Sequence, residues 1–313
     1  MTLEVLFVGI GSIAKRHIRN LREVCCQKGI AITIDALRRK QSNSDDLQEL
    51  GIREVITELS FINKEYDIVF ITNPTELHLD TIEELRHFGK HFFVEKPIAS
   101  VRQIDRLNNL SVNEKSIYYV ACPLRYNAVI QYIKNNVDIN DIMYVRSISS
   151  SYLPNWRPGI DYRTTYSAHK ELGGGVSIDL IHEWDYLTFL FGKPNKVLYL
   201  NGKKSSLEID SDDCAEYIAE YSNKFVSLHL DYFGRKTIRE IMLFTKNDTI
   251  VGDLLNNRIT FLSNGEIINF NEERDDFQKR ELFYFLDIIE GKVVNNSSIS
   301  HAFDTLKLTQ GLL

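Results

Sequence analysis

Over roughly the first 120 residues, short runs of β-branched and aromatic residues alternate with longer stretches of helical period. The runs are "LEVLFVG", "AITIDAL", "YDIVFITN", "HFFVEK" and "SIYYVA". Parallel strands need long crossovers, so strand alternating with helix implies a doubly wound parallel sheet with helices on both faces. Beyond Pro123 the pattern changes. A helical stretch from about Leu124 to Val137 is followed by the alternating run "IMYVRSISSSY" and a loop rich in Pro, Trp and Arg. A long helix is expected from Val176 to Phe191, stopped by Gly192 and Pro194. From Lys196 to Phe270 most segments alternate with period two and are separated by "SNK", "KND" and "SNG", which reads as an antiparallel sheet with helices on one face. A helix from Glu273 to Glu290 and another from His301 close the chain. A chain of 313 residues accommodates two domains, and the pattern divides it into 1–121, α/β, and 122–313, α+β with a large, mostly antiparallel open sheet.

Composition removes several function classes. With 37 Lys and Arg against 43 Asp and Glu, and no long block of like charge, nucleic acid is not an expected partner. Cys25 and Cys26 are adjacent while Cys122 and Cys214 stand alone, so neither a CxxC metal pattern nor a disulfide framework is visible. That usage suits a reducing cytoplasm. The opening apolar stretch is too short for a signal segment, and no apolar run approaches membrane-spanning length, so neither secretion nor membrane insertion is expected.

The first apolar run ends in G-x-G-x-x-A, with Gly9, Gly11 and Ala14 separated by Ile10, Ser12 and Ile13. This is the dinucleotide-binding fingerprint of a Rossmann domain in its Ala variant: a tight turn at Gly9, close backbone approach to a pyrophosphate at Gly11, close helix–strand packing at Ala14. Helix N-terminal amides stabilise the phosphates without a basic side chain in the loop. A plain strand-to-helix turn of small residues is the bland alternative, which the position at the first strand of an alternating region disfavours. The end of the second strand reads the adenosine ribose: an acid there accepts from a free 2′-hydroxyl, whereas arginine pairs with a 2′-phosphate. Asp35 stands at about the expected separation, but the strand continues through Leu37 into Arg38, Arg39 and Lys40. NADP is therefore slightly favoured over NAD, unless the basic cluster is merely solvated loop charge.

Two further strand ends carry "ITNPTELH", with Thr72, Asn73, Pro74 and His78, and "EKP", with Glu95, Lys96 and Pro97. Ligands bind beyond the carboxyl ends of strands in an open parallel sheet, so both motifs are expected at the nicotinamide end of the dinucleotide. Together, "GIGSIAKRH", "ITNPTELHLDT", "GKHFFVEKPIA" and "LGGGVSIDLIHEWDYLTFLFG" resemble, in order and over most of the chain, the glucose-fructose oxidoreductase / inositol dehydrogenase / rhizopine catabolism (Gfo/Idh/MocA) family. The resemblance implies that Lys96 sits beside the nicotinamide and the reacting hydroxyl, where an ammonium stabilises a developing alkoxide. Read from its position alone, Lys96 fits a surface ion-pair partner of Glu95 better than a catalytic group.

After "GGG", Asp179, His182 and Asp185 recur every third residue on one face of the expected helix. A carboxylate beside an imidazole raises its basicity, as a histidine accepting a hydroxyl proton requires; a polar stripe facing water is the alternative. Metal binding by these residues is not expected. The resemblance implies an Asp four residues before the His, whereas Ile178 holds that position and Asp179 stands three before. His182 therefore carries the catalytic reading more firmly than Asp179. The loop "YLPNWRPGIDYRTTYSAHKELGGG" supplies Trp156, Arg157, Tyr162, Arg163, Tyr166 and Lys170, which suit stacking on a sugar ring and pairing with a phosphate or carboxylate, or else packing in a subunit contact. This stretch is similar to a branch of the family linked to bacterial surface-polysaccharide and sugar-nucleotide metabolism. Arg125 and Tyr126 in "CPLRYN" resemble a family segment that lines the site, although the usual His-Pro after the aromatic is missing.

The reading is an NAD(P)-dependent oxidoreductase that moves hydride between nicotinamide and a carbinol carbon of a sugar, cyclitol or sugar nucleotide, with Lys96, His182 and Asp179 as its catalytic residues. The resemblance adds a homodimer or homotetramer through the open sheet. Two rivals stay open, a reductase of an imine or conjugated system and a non-catalytic dinucleotide sensor.

Overall fold

A computed structural model describes residues 2–38 and 45–313. The chain forms two compact units, Met1–Ala121 with Gln278–Phe303, and Cys122–Phe277 with Asp304–Leu313. A single cut after residue 121 therefore does not separate them, because 278–303 packs with the first unit.

The first unit runs β1 (Thr2–Val8), α1 (Ser12–Gln27), β2 (Ala31–Leu37), α2 (Asp45–Glu49), β3 (Ile52–Ile56), β4 (Tyr66–Ile71), α3 (His78–Leu85), β5 (Gly89–Val94), α4 (Ile104–Leu107) and β6 (Ile117–Val120). All strand pairs are parallel, in the order β3-β2-β1-β4-β5-β6. The order reverses between β1 and β4, and that switch point is where an open parallel sheet binds ligands. β3, "IREVI", escapes the hydrophobic pattern because three of its residues are exposed at the sheet edge. Phe7, Phe70, Phe93 and Tyr119 lie side by side in register across β1, β4, β5 and β6. Their rings are 4.4, 4.8 and 5.4 Å apart in that order, a continuous apolar band of the kind that dominates core energetics. From the later segment, Phe285 sets its ring against Phe93 at 5.3 Å and Tyr119 at 5.5 Å.

The second unit contributes α5 (Ala128–Asn136), β7 (Ile142–Tyr152), α6 (Val176–Asp179), α7 (His182–Phe191), β8 (Lys196–Gly202), β9 (Cys214–Glu220), β10 (Phe225–Asp231), β11 (Phe233–Thr245), β12 (Thr249–Asp253), β13 (Arg258–Phe261) and β14 (Ile267–Asn269). Then come α8 (Asp276–Ile289), most of which belongs to the first unit, and α9 (Ile299–Leu308). The sheet order is β14-β13-β12-β11-β7-β10-β9-β8, antiparallel except for β10 beside β7. One face packs on α5, α6, α7 and α9 through Val129, Ile133, Val176, Trp184, Leu187 and Leu308. The other is open, so strand residues alternate: Ala215, Tyr217 and Ala219 are buried while Glu216, Ile218 and Glu220 are exposed.

The expected long helix over 176–191 is two helices. Leu180 adopts φ −98° and ψ 28°, and the amides of Ile181 and Glu183 reach back three residues, to Ile178 and Leu180, instead of four. This tightened turn breaks the ladder between Asp179 and His182. The preceding glycines are dictated by contact: a Cβ on Gly174 would lie 2.1 Å from the Tyr166 carbonyl oxygen, and one on Gly175, at φ +136°, 2.1 Å from Asp212 Oδ1.

Candidate functional site

In the first unit the site grows from the end of β1. Gly9 has φ +82°, and a Cβ there would come within 2.8 Å of Asn73 Cα, so the loop after β4 requires glycine at this point. Gly11 differs. Its backbone is extended, and among the described residues none beyond its chain neighbours and own helix lies within 4 Å of where its Cβ would be and no side chain caps the helix that it opens. The chain thus leaves an open approach to the first amides of α1, where Ser12 and Ile13 begin a 16-residue helix whose first turn has no acidic residue. Uncapped amides at an open helix start fit a pyrophosphate. Ala14 is fully buried, and Ile10 is half-buried in the turn.

A cleft of about 620 Å³ adjoins this loop, within the range of small-molecule sites, and is lined by Val8, Gly9, Leu37, Arg38, Thr57, Glu58, Leu59, Asn73, Pro74, Leu77, Thr81 and Glu84. The missed strand β3 leads into one wall of it. Arg38 follows β2 directly, its amide bonded to the Ile56 carbonyl at 2.8 Å. Arg39 lies outside the described residues. Asp35 is no ribose reader: it is fully buried inside β2, accepting from Arg53 Nη2 at 2.5 Å and the Tyr66 hydroxyl at 2.9 Å, with Lys64 Nζ at 3.0 Å. Burial works against its charge, but these partners outweigh it and hold its pKa below the ordinary value.

Two residues expected to touch the cofactor brace the loops instead. Thr72 is buried and donates to the carbonyls of Val8 and Gly9 at 3.0 and 2.8 Å, tying the loops after β1 and β4 together. His78 is 1% exposed, with Nδ1 3.0 Å from the Pro97 carbonyl and Nε2 3.0 Å from that of Asn73. It joins "ITNP" to "EKP", and burial pushes its pKa down despite those carbonyls and the charge of Glu95. Glu95 pairs with His17 Nε2 at 2.5 Å. Burial opposes ionisation of Glu95, but the His17 hydrogen bond and the charges of His17 and Lys96 outweigh it and keep the carboxyl ionised. His17, absent from the sequence reading, packs edge-on to Phe93 at 5.1 Å and so anchors Glu95 to the aromatic band. Lys96 is half-buried at the turn that follows, and its amide donates to Glu95 Oε2 at 3.2 Å.

In the second unit, Asp179 is 7% exposed and accepts from the Tyr232 hydroxyl at 2.6 Å. Tyr166 also hydrogen-bonds Asp179; burial and then this charge raise the pKa of both phenols. Around them, Trp156 stands edge-on to Tyr232 at 5.2 Å and Arg157 lies over the Tyr166 ring at 5.4 Å. Asp179, Tyr166, Trp156 and Arg157 therefore belong to one cluster, whose centre, Tyr232, extends the alternating buried row Val226, Leu228 and Leu230 of β10. Nearby, half-buried Asp212 has its pKa raised by desolvation while accepting from Ser177 Oγ at 2.9 Å.

The other expected substrate residues are engaged elsewhere. Arg125 is 3% exposed and grips Asp185 with Nε at 2.8 Å and Nη2 at 2.7 Å, and Tyr126 beside it is buried. The pair joins the segment before α5 to α7; a bidentate guanidinium–carboxylate grip of this kind suits holding helices better than waiting for a ligand. Arg163 is chelated by Asp161 and reaches Glu208 at 3.1 Å, the Tyr162 hydroxyl accepts from the Glu208 amide, and the Lys170 amide binds Asp210. These three sit on the outer loop. His182 opens α7, half-buried.

Two family models match, the oxidoreductase family's NAD-binding Rossmann fold over residues 3–122 and its C-terminal alpha/beta domain over 130–242. The inositol 2-dehydrogenase of Salmonella typhimurium is 24% identical over 207 residues, 63% of this chain and 57% of that protein. The first curated relatives are spanned over only 57 to 61% of their length. Among solved structures, a levoglucosan dehydrogenase in complex with NADH superposes with a TM-score of 0.84 at 16% identity, covering 100% of this chain and 96% of that one. The UDP-N-acetylglucosamine 3-dehydrogenase of Acidithiobacillus ferrooxidans gives 0.79 at 17%, covering 100% and 97%. At such identities these likenesses show the fold, whereas the two family models cover both units: the chain belongs to the Gfo/Idh/MocA oxidoreductase family.

Proposed function

We propose that the protein is an NAD(P)-dependent oxidoreductase acting on a CH–OH group of a sugar, cyclitol or sugar nucleotide. The observation that carries this reading is the open, uncapped start of α1 at Gly11, next to a cleft that Arg38, Asn73 and Pro74 line. Gly9 to Ala14 would hold the pyrophosphate, and Arg38 the adenosine ribose. The dinucleotide, when bound, supplies or accepts the hydride. Family membership and the named relatives, dehydrogenases of inositol, levoglucosan and a nucleotide-linked sugar, support the substrate class.

The chain's own part is to orient, to exclude water and to move a proton. Lys96 Nζ stabilises the oxyanion that develops on the substrate during oxidation. Its backbone is fixed by Glu95, which His17 holds in turn. His182 accepts the hydroxyl proton, and Asp179, engaged by Tyr232, positions the start of α7. Arg38 favours NADP, since Asp35 is committed to Arg53, Lys64 and Tyr66. The open sheet face, with Leu198, Leu200, Ile218 and Phe225 exposed, pairs with a second copy.

The test is absorbance-monitored turnover with NADP and NAD, each crossed with free sugars, cyclitols and nucleotide-linked sugars, for the parent, Lys96→Ala and Arg38→Ala. Lys96→Ala is expected to lose at least ~100-fold in turnover with dinucleotide binding kept, and Arg38→Ala to lose affinity for NADP alone. Silence of the parent across the panel, or a Lys96→Ala variant near parent activity, refutes the catalytic assignment. Equal NADP affinity in Arg38→Ala refutes the cofactor preference.

A further inference from the structure

The open face of the second unit's sheet carries a side-chain cluster that has no part in the oxidoreductase reading. Glu216 on β9 lies directly opposite His229 on β10, and Cys214 lies opposite Asp231. All four project away from the helices, because their neighbours Ala215, Tyr217, Leu228 and Leu230 fill the core. Cys214 Sγ, a Glu216 carboxylate oxygen and a His229 ring nitrogen lie within 4.8 Å of one another.

His229 is held in a defined way. Its Nε2 is 2.8 Å from Asp231 Oδ2, and Asp231 is itself 3% exposed and fixed by the amides of Phe233 and Gly234 at 2.9 and 2.7 Å. Nδ1 meets Glu216 Oε1 in a short hydrogen bond. Asp231 therefore accepts from Nε2–H, which leaves Nδ1 facing Glu216. A carboxylate that fixes the far nitrogen of a histidine is the outer shell that metal-binding histidines carry.

We propose that Cys214 Sγ, Glu216 Oε1 and His229 Nδ1 bind a divalent transition ion of the zinc class, with Asp231 as the outer partner of the histidine. The ion replaces the proton shared by Nδ1 and Glu216, and the thiol binds as thiolate. Bonds of about 2.0 Å to nitrogen and oxygen and 2.3 Å to sulfur place tetrahedral ligands about 3.3–3.5 Å from each other, so the imidazole and carboxylate part from their short hydrogen bond as the thiol closes in, a rearrangement that two adjacent strands allow by side-chain rotation. Thiolate and imidazole select zinc, cobalt or nickel over magnesium and calcium. Approach is open. Gly202, which has no side chain, is the β8 residue paired with Cys214, and the Glu216 and His229 side chains are 52% and 29% exposed. Three protein ligands leave a fourth position for water or a further donor. The proposal rests on the second unit alone, and its fate is independent of the catalytic reading.

The experiment is a Co²⁺ titration of the metal-stripped, reduced full-length protein, followed by displacement with Zn²⁺. A thiolate-to-cobalt charge-transfer band saturating at one ion per chain is expected, abolished in Cys214→Ser and unchanged in Cys26→Ser, whose exposed thiol serves as the control. Asp231→Asn should weaken cobalt binding by about 10- to 100-fold. No charge-transfer band with the parent at excess cobalt, or a band that persists in Cys214→Ser, overturns the proposal.

Discussion

Gly9 and Gly11 share one turn, yet their environments predict opposite phenotypes for the same substitution. In Gly9→Ala the new residue must hold φ +82°, which costs an L-residue roughly 1–2 kcal/mol. Its Cβ also meets Asn73 Cα at 2.8 Å, and because that atom is backbone the loop after β4 must move; such overpacking costs about 1–3 kcal/mol. Together the first unit loses on the order of 2–5 kcal/mol. Gly11→Ala adds a methyl where, among the described residues, nothing beyond its chain neighbours and own helix stands within 4 Å, at an extended backbone, so only a helix-cap preference of at most about 1 kcal/mol is lost. That methyl occupies the approach to the α1 amides, and losing one charge-assisted hydrogen bond there removes about 1.5–3 kcal/mol of dinucleotide binding, roughly 10- to 150-fold in Kd. Urea unfolding followed by CD, beside calorimetric titration with NADPH and NADH, separates the two. A Gly11→Ala variant that binds both dinucleotides as the parent does, or one that unfolds as early as Gly9→Ala, would refute the assignment of the open space to a ligand.

Two further outcomes follow from the packing. The Asp35 carboxyl is held below its ordinary value of 3.8, so its contribution to stability is complete above that pH and is lost as pH falls through the depressed value. Arg53→Met removes one of the groups that oppose burial, and the midpoint of acid unfolding should move to higher pH; an unmoved midpoint would sink this account. Pairing through the open sheet face predicts a dimer or tetramer in sedimentation that Leu200→Lys disperses, since Leu200, on the edge strand β8, is 77% exposed on that face; a monomer across a wide concentration range excludes it.

The strand runs of the first unit were legible because they combine β-branched residues with turn signals, and the observed strands over "AITIDAL" and "YDIVFI" coincide with them. β3 was not, since "IREVI" is a charged edge strand with a single buried residue. Through "VSIDLIHEWDYLTFLF" the helical period runs on without Gly or Pro, so nothing local announces the break at Leu180. The glycine turn was read from spacing, but which glycine answers to protein and which to open space depends on Asn73, brought beside Gly9 by the parallel pairing of β1 and β4. His17 and Glu95 are separated by 78 positions and meet only in the fold, as do Asp179 and Tyr232, separated by 53. Spacing on a helix said that Asp179 and Asp185 share a face with His182. It could not say that Tyr232 and Arg125 already hold the two carboxylates.

The route of the chain between its units has a consequence for biosynthesis. The aromatic band of the first sheet receives Phe285 only from α8, and the core of the second unit receives Leu308 only from α9, whose far end also offers the Thr309 carbonyl to the Tyr217 hydroxyl. A ribosome therefore finishes neither unit until residues 278–313 have emerged, so the nascent chain carries two nearly built sheets, each with an apolar face still waiting for its helix. The two units come to completion together, and a chain halted after residue 121 leaves Phe93 and Tyr119 without the ring that covers them.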